Sequence, residues 1–314
     1  MIRSLMTMGE DKQKERRFHI TYRVETGNLL LREFLHSKGI SKRTLTAIKY
    51  AGGEITVNSV VQNVRYMLRQ GDEVGVTLPQ EVPSAGLLPE TGPLTKIYED
   101  EALLVLDKPS GQSTIPSRDH PAGTVANFVA GKFKREGIPA TVHVATRLDR
   151  DTSGLICIAK NRHIHHLLSE QIRNSGFRRQ YIAIVHGTVV QEEWTIEAPI
   201  GRKDGSIIER IVRQDGQYAR TDVTVLKRFQ KDGQQYTQVA LHLHTGRTHQ
   251  IRVHMQWSGH PLAGDDLYGG THEHIQRQAL HCTEIQFSHP LTGESLDFQS
   301  NMPLDMQKML SQNL

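Results

Sequence analysis

The densest polar stretch of the chain, Arg147-Leu148-Asp149-Arg150-Asp151-Thr152-Ser153-Gly154, lies where one apolar run, Val142 to Leu148, gives way to another, Leu155 to Ala159. Its backbone is expected to connect two strands at the end of a sheet, where binding and catalytic groups concentrate. The chemistry it offers is that of a carboxylate among guanidinium groups. Arg147 and Arg150 flank Asp149 and would hold it ionised. Taken alone, the stretch reads first as a polar hairpin whose Asp and Ser bond their own backbone. A second cluster, Gly246 to His254, follows a strand and opens a helix at Thr248, so its polar side chains can face a cleft. Neither His249 and His254 nor His163, His165 and His166 join a Cys or carboxylate in a metal-ligand pattern, so no metal site is expected. In a third cluster, Arg179-Gln180-Tyr181, a period of two puts Arg179 and Tyr181 on one face of a strand. The Tyr181 phenol could stack there on a flat ligand or pack at the edge of the core. Asp107 to Gly111 reads as a turn after a strand.

The elements that must position these groups are short. Leu103 to Leu106, Leu155 to Ala159, Gln180 to Val185, Thr221 to Leu226 and Val239 to Leu243 read as strands, as does the run Val142 to Leu148. His163 to Asn174 reads as a helix, because Ile164, Leu167, Leu168 and Ile172 recur at helical spacing. Strands interspersed with helices, without regular βαβ alternation, predict an α+β domain with a mixed or antiparallel sheet over residues 94–314. Nearer the start, Leu29, Leu30, Leu31, Phe34 and Leu35 predict a helix ending at Gly39. Ser41 caps a second helix that stops at Gly52-Gly53. Ile55 and Val57, then Val74, Val76 and Leu78, alternate as strands of a small sheet. Lys42 and Arg43 occupy the first turn of the second helix, where the macrodipole favours anions; cations there would cooperate with free N–H groups to bind an external phosphate. Residues 1–17 carry no apolar period and are expected to be disordered. Residues 81–93, with Pro83, Pro89 and Pro93, are expected to be a linker.

Composition bounds the classes. The 314 residues carry 38 Lys+Arg against 34 Asp+Glu, a net charge of +4, which suits about two domains. Residues 1–80 hold 13 basic and 8 acidic side chains, so the positive excess is N-terminal and suits a module that meets a polyanion. No apolar run approaches the ~18 residues of a membrane span. The opening lacks the apolar core of a secretory signal, so a cytoplasmic chain without a membrane partner is expected. Cys157 and Cys282 sit in strand-like runs and read as buried free thiols.

Two resemblances emerge. Leu31, Phe34, Leu35, Ile40-Ser41-Lys42-Arg43, Leu45, Ile48, Gly53, Ile55 and Val57-Asn58, completed by Arg69-Gln70-Gly71-Asp72 and Val74, resemble the small RNA-binding domain named after ribosomal protein S-four, over residues 18–80. DKPSG at 107–111, RLDRDTSGL at 147–155, RQYIAIVHG at 179–187 and TGRTHQIRVHM at 245–255 resemble the RluA-like, large-subunit-rRNA type of pseudouridine synthase. GHPLAGDDLYG at 259–269 and ALHCTEIQFSHPLTG at 279–293 extend the match.

The resemblance implies the pseudouridine synthase fold, a central mixed or antiparallel sheet flanked by helices, and isomerisation of uridine to pseudouridine in structured RNA without a cofactor. Large-subunit 23S ribosomal RNA is favoured over tRNA as the partner, and a monomer is the default. By resemblance Asp149 is the nucleophile, Arg252 its guanidinium partner, and Tyr181 the ring that stacks on the base and assists loss of the C5 proton. Arg147 fills the gap left by the flipped nucleotide, Leu280 lines the other side of the base pocket, and Lys42 and Arg43 contact RNA. Two positions depart from the pattern: Thr146 replaces the usual His before R-L-D, for which His143 could compensate, and Arg179 replaces the usual Lys. The other readings are a catalytically silent RNA-binding or ribosome-assembly factor, and a hydrolase pairing Asp149 with Asp151.

Overall fold

The computed structural model describes residues 17–311. The expectation of disorder for the opening segment falls, apart from Arg17, outside the described residues. Residues 18–78 form a four-stranded antiparallel sheet in the order His19–Arg23, Glu73–Thr77, Glu54–Val57, Val60–Val61. Helices Leu31–Ser37 and Lys42–Tyr50 cover it, burying Leu31, Phe34, Leu35 and Ile48 in one cluster with Ile20, Val74 and Val76. The second helix starts where Ser41 Oγ accepts the Thr44 N–H at 3.1 Å. The first ends at Gly39, with φ +77°. A Cβ there would lie 2.4 Å from Leu167 Cδ2, so this turn seats directly on helix Arg162–Arg173 of the larger body.

Residues 81–93 are held along that body. The Glu81 carboxylate meets His143 Nε2 at 2.5 Å and accepts the Arg162 N–H at 2.6 Å. Asn127 Nδ2 donates to the Leu88 carbonyl at 2.8 Å. A Cβ at Gly131 would stand 1.8 Å from the Glu90 carbonyl oxygen, so helix Val125–Glu136 lies against this strap with no room for a side chain.

The body is built on a ten-stranded sheet. Its main path runs Glu193–Glu197, Arg220–Lys231, Gln234–Leu243, Arg178–His186, Leu280–Ser288, Ser153–Ala159, Leu103–Lys108, Thr95–Glu99. Neighbours on this path are antiparallel, except that Ser153–Ala159 runs parallel to Leu280–Ser288 through Ser153↔His281 and Gly154↔Cys282. The sheet is therefore mixed, as expected of an α+β fold. Every residue of Ser153–Ala159 is buried, so both faces of the central strand are covered and its apolar run shows no alternation. Cys157 and Cys282 are buried free thiols.

Two expectations about elements change. The run Val142 to Leu148 pairs as a strand only at His143–Val144. Beyond it the ladder gives way: the Ala145 and Thr146 N–H groups share the Cys157 carbonyl at 2.9 and 3.2 Å, and Thr146 Oγ1 accepts the Cys157 N–H at 2.9 Å. Thr114 Oγ1 accepts the Leu148 N–H at 3.2 Å and donates to the Leu148 carbonyl at 2.7 Å. The helix after Gly246 begins at Gln250 rather than Thr248, and ends at Trp257. Helix Val125–Glu136 escaped notice, although Thr124 before Val125, Val129 and Phe133 is a capped apolar stripe. Among the described residues no helix is long and apolar enough to cross a membrane.

Candidate active site

The central strands deliver three loops and one strand face to a cavity of about 670 Å³. Its lining includes Arg147, Asp149, Arg179, Tyr181, Arg252 and Leu280, brought together from segments far apart in the chain. Asp149 sits on the connection between His143–Val144 and Ser153–Ala159, with its side chain 29% exposed. That connection is pinned from below by Lys108, whose buried Nζ donates to the carbonyls of Pro109 and Gln112 at 2.8 Å and of Arg150 at 3.0 Å. Burial pushes the Lys108 pKa down to about 7, against the pull of Asp151 and Asp149. The turn at 107–111, which by sequence said nothing of its own, thus fixes the height of the Asp149 loop.

Arg252 is the partner of Asp149. Its Nη1 donates to Asp149 Oδ2 at 3.3 Å, while Nε and Nη2 each reach an oxygen of Asp265 at 2.7 Å. Burial works against the Arg252 cation, but the bonds to Asp265 and the charge of Asp149 outweigh it, and its pKa rises above the usual arginine value. Tyr268 places its ring beneath the same guanidinium, 4.9 Å from the ring centroid to Cζ. Arg147 and Arg150, expected to hold Asp149, are exposed and make no bond to its carboxylate. Leu148 turns inward between Arg147 and Asp149, which sends Arg147 outward, and Arg150 Nε donates to the Gly111 carbonyl instead.

Tyr181 and Leu280 are buried on adjoining strands and face the cavity. Burial, reinforced by the neighbouring Cys282, raises the Tyr181 pKa well above 10, so the phenol is neutral. Arg179 shares that strand face. It is only 8% exposed and lines the cavity, and among the described residues its buried Nε has no hydrogen-bond partner. Thr146 lies in the cavity wall but spends its hydroxyl on the Cys157 amide. His143 does not stand in for a histidine there, because its ring turns to Glu81. Lys42 and Arg43 lie elsewhere, exposed on the first turn of their helix.

Asp265, His249 and Tyr268 carry no assigned role in the sequence reading. The clue to Asp265 is its place in GHPLAGDDLYG, but two adjacent aspartates do not say which one is buried. Asp265 has no side-chain exposure, whereas that of Asp266 is 79%. Asp151 does not line the cavity, so the paired-carboxylate hydrolase has no second acid to use. Among the described residues no cluster of His, Cys, Asp and Glu is arranged to hold a metal ion.

A carboxylate beside a guanidinium, under a buried aromatic face and in a cavity of nucleotide size, defines a site for chemistry on a flat, anionic ligand. The family model described as RNA pseudouridylate synthase matches residues 102–257. An uncharacterized RNA pseudouridine synthase of Bacillus subtilis, YjbO, is 48% identical over 282 residues, spanning 90% of this chain and 98% of that one. The ribosomal large subunit pseudouridine synthase D of Pseudomonas aeruginosa is 34% identical over 273 residues, spanning 82% and 83%. Human RNA pseudouridylate synthase domain containing 1 shares the fold, with TM-score 0.55 and 24% identity over 68% of this chain and 86% of that one. The chain belongs to the RNA pseudouridine synthase family, of the RluA type, and is an enzyme of that class.

Proposed function

We propose that the chain isomerises particular uridines of large-subunit ribosomal RNA, with Asp149 as the nucleophile. The observation that carries this reading is the meeting of Asp149, Arg252 and Tyr181 in one cavity, from loops and strands up to 103 residues apart. The printed names of relatives such as synthase D support the choice of RNA. A target uridine leaves its stack at a cost of a few kcal/mol, least in loops and bulges, and the exposed Arg147, which lines the cavity, would fill the gap. The base then lies between Tyr181 and Leu280. Arg179 suits an oxygen of the nucleotide, because an anionic or carbonyl group would supply the partner that its buried Nε lacks among the described residues.

Attack at the ribose and promotion of a glycal are alternative routes, and both begin with an ionised carboxylate beside C1′. The N1–C1′ bond breaks, uracil turns, and C5 joins C1′; the C5 proton leaves and N1 gains one, so the sum is an isomerisation. A neutral Tyr181 serves the turning base as a stacking surface, and its buried phenol would need a relay to accept the C5 proton. Residues 18–80 we read as the RNA-anchoring domain of the ribosomal-protein-S-four type, supported by the exposed Lys42 and Arg43 at a helix start.

The test is carbodiimide mapping of large-subunit ribosomal RNA transcripts after incubation with the full chain or with Asp149→Asn. The wild type should create adduct-dependent stops at defined uridines. The variant should create none, with RNA affinity unchanged within a few fold. Normal modification by Asp149→Asn would remove Asp149 from the mechanism, and binding without modification by the wild type would favour the catalytically silent factor.

A further inference from the structure

The hydroxyl of Tyr268 meets two groups with fixed demands. It accepts the Arg210 backbone N–H at 3.0 Å, and it lies 2.8 Å from His249 Nδ1. A phenol has a single proton. If Nδ1 carried the ring proton, two donors would converge on the oxygen, and the phenolic proton of this buried residue would have no acceptor, an arrangement buried polar groups avoid. Satisfying every group requires Tyr268 to donate to Nδ1, which places the imidazole proton on Nε2. That nitrogen faces Asp149 Oδ2 at 3.9 Å, the same oxygen that Arg252 Nη1 reaches at 3.3 Å. Asp149 Oδ1 has no hydrogen-bond partner among the described residues.

The backbone of His249 points the same way. It precedes helix Gln250–Trp257 with φ +56°, in the left-handed region, and its side chain makes no capping bond. A non-glycine residue keeps that conformation where its surroundings over-determine it. Here the visible result is a ring held between Tyr268 and Asp149. Burial, against the pull of Asp149, lowers the His249 pKa and keeps the ring neutral, which is the state in which a tautomer must be chosen.

We propose that Tyr268 is a positioning residue that locks His249 as the Nε2–H tautomer, so that an N–H rather than a lone pair lies 3.9 Å from the Asp149 Oδ2 that Arg252 bonds, and Oδ1 is left as the oxygen that meets the ribose. The inference rests on the reading of Asp149 as the reacting carboxylate. The opposite tautomer would aim an imidazole lone pair at the carboxylate and push it out of line. Because the Arg210 amide belongs to the hairpin Ile200–Arg202/Arg210–Val212, the lock also ties the carboxylate to the placement of that hairpin.

Tyr268→Phe isolates the hydroxyl, since the ring beneath Arg252 remains. Full-length protein labelled with 15N-histidine reports the tautomer through nitrogen shifts and two-bond couplings, the His249 signal being identified by its loss in His249→Gln. Wild type should show Nε2–H at His249, and Tyr268→Phe should show Nδ1–H or a mixture. On large-subunit ribosomal RNA transcripts, kcat of Tyr268→Phe should fall about tenfold with KM within about twofold. An Nδ1–H tautomer in the wild type overturns the proposal, and that measurement needs no variant to fold. So does a fall in kcat without a change of tautomer, or a change of tautomer without a fall in kcat. Activity retained by Asp149→Asn would instead overturn the nucleophile reading and leave the tautomer result standing.

Discussion

At the scale of single residues, the site is a chain of charges that alternate in sign. Asp265 neutralises Arg252 through two N–H donors, on Nε and Nη2, and Arg252 Nη1 donates to Asp149. Asp265 has no side-chain exposure, so removing it strands a buried guanidinium. Asp265→Ala should cost about 3–5 kcal/mol in urea unfolding, the range for breaking a buried pair from one side. A loss below ~1 kcal/mol would mean that solvent reaches Arg252. At this scale the sequence was most informative where a motif carries its own meaning: Asp149, Tyr181, Arg252 and Leu280 all line one cavity. It was least informative where choice depends on what lies across space. Proximity along the chain pointed to Arg147 and Arg150, whereas the guanidinium that bonds Asp149 is that of Arg252, the one the family resemblance implied.

At the scale of elements, two packing contacts make opposite demands on intuition. Gly131 sits inside helix Val125–Glu136, where intrinsic propensity favours alanine by about 1 kcal/mol. Its missing Cβ, however, is the space occupied by the Glu90 carbonyl, 1.8 Å from where that atom would stand. Gly131→Ala should therefore lower the thermal midpoint, and a higher midpoint would show that the strap yields freely. At the sheet edge, Glu99 joins strand Thr95–Glu99 to helix Val125–Glu136 through Lys132 at 3.1 Å, and to Lys160 at 2.9 Å. Burial opposes the Glu99 charge, but the bonds to Lys160, Lys132 and Lys96 outweigh it and lower its pKa from 4.5 to about 2. A carboxylate depressed on folding contributes stability above its unfolded pKa and loses it as pH falls through the folded value. That contribution is thus full above about 4.5 and lost toward about 2. Glu99→Gln should flatten the acid limb of the stability curve in this window, measured by urea unfolding at stepped pH. An unchanged limb would assign acid sensitivity to other groups such as Asp100, also held near 2.

At the scale of the whole molecule, the N-terminal unit rests on a wall of the cavity. Gly39 seats on Leu167, and the same helix contributes Ser169, Ile172 and Arg173 to the lining. An RNA held at Lys42 and Arg43 would therefore be anchored by a unit fixed to the catalytic body. Replacing both residues by alanine in the full chain should weaken RNA binding and lower the slope of log affinity against log salt by about 0.7–0.9 per lost phosphate contact. Loss of affinity with an unaltered slope would mean that these side chains do not touch phosphate. Modification by the variant at saturating RNA should persist, since neither residue reaches the cavity.

Read alone, the sequence determined the chemical inventory and the local elements. Ser41 bonds its helix start, Ile164 and Leu168 form a buried stripe, and the alternation around Tyr181 faces it to a common side with Arg179. These depend on contacts within a few residues, which spacing encodes directly. Only the tertiary structure decided that Asp265 rather than Asp266 is buried, that it shares Arg252 with Asp149, and that His143 serves the strap. It also broke the strand expected over Val142 to Leu148: Ala145 and Thr146 both direct their N–H to the Cys157 carbonyl, and the hydroxyls of Thr146 and Thr114 take the Cys157 amide and the Leu148 backbone groups. The physical reason is the same in each case. A charge or an orphan backbone group is satisfied by whatever the sheet topology brings within about 3 Å, and no local pattern carries that distance.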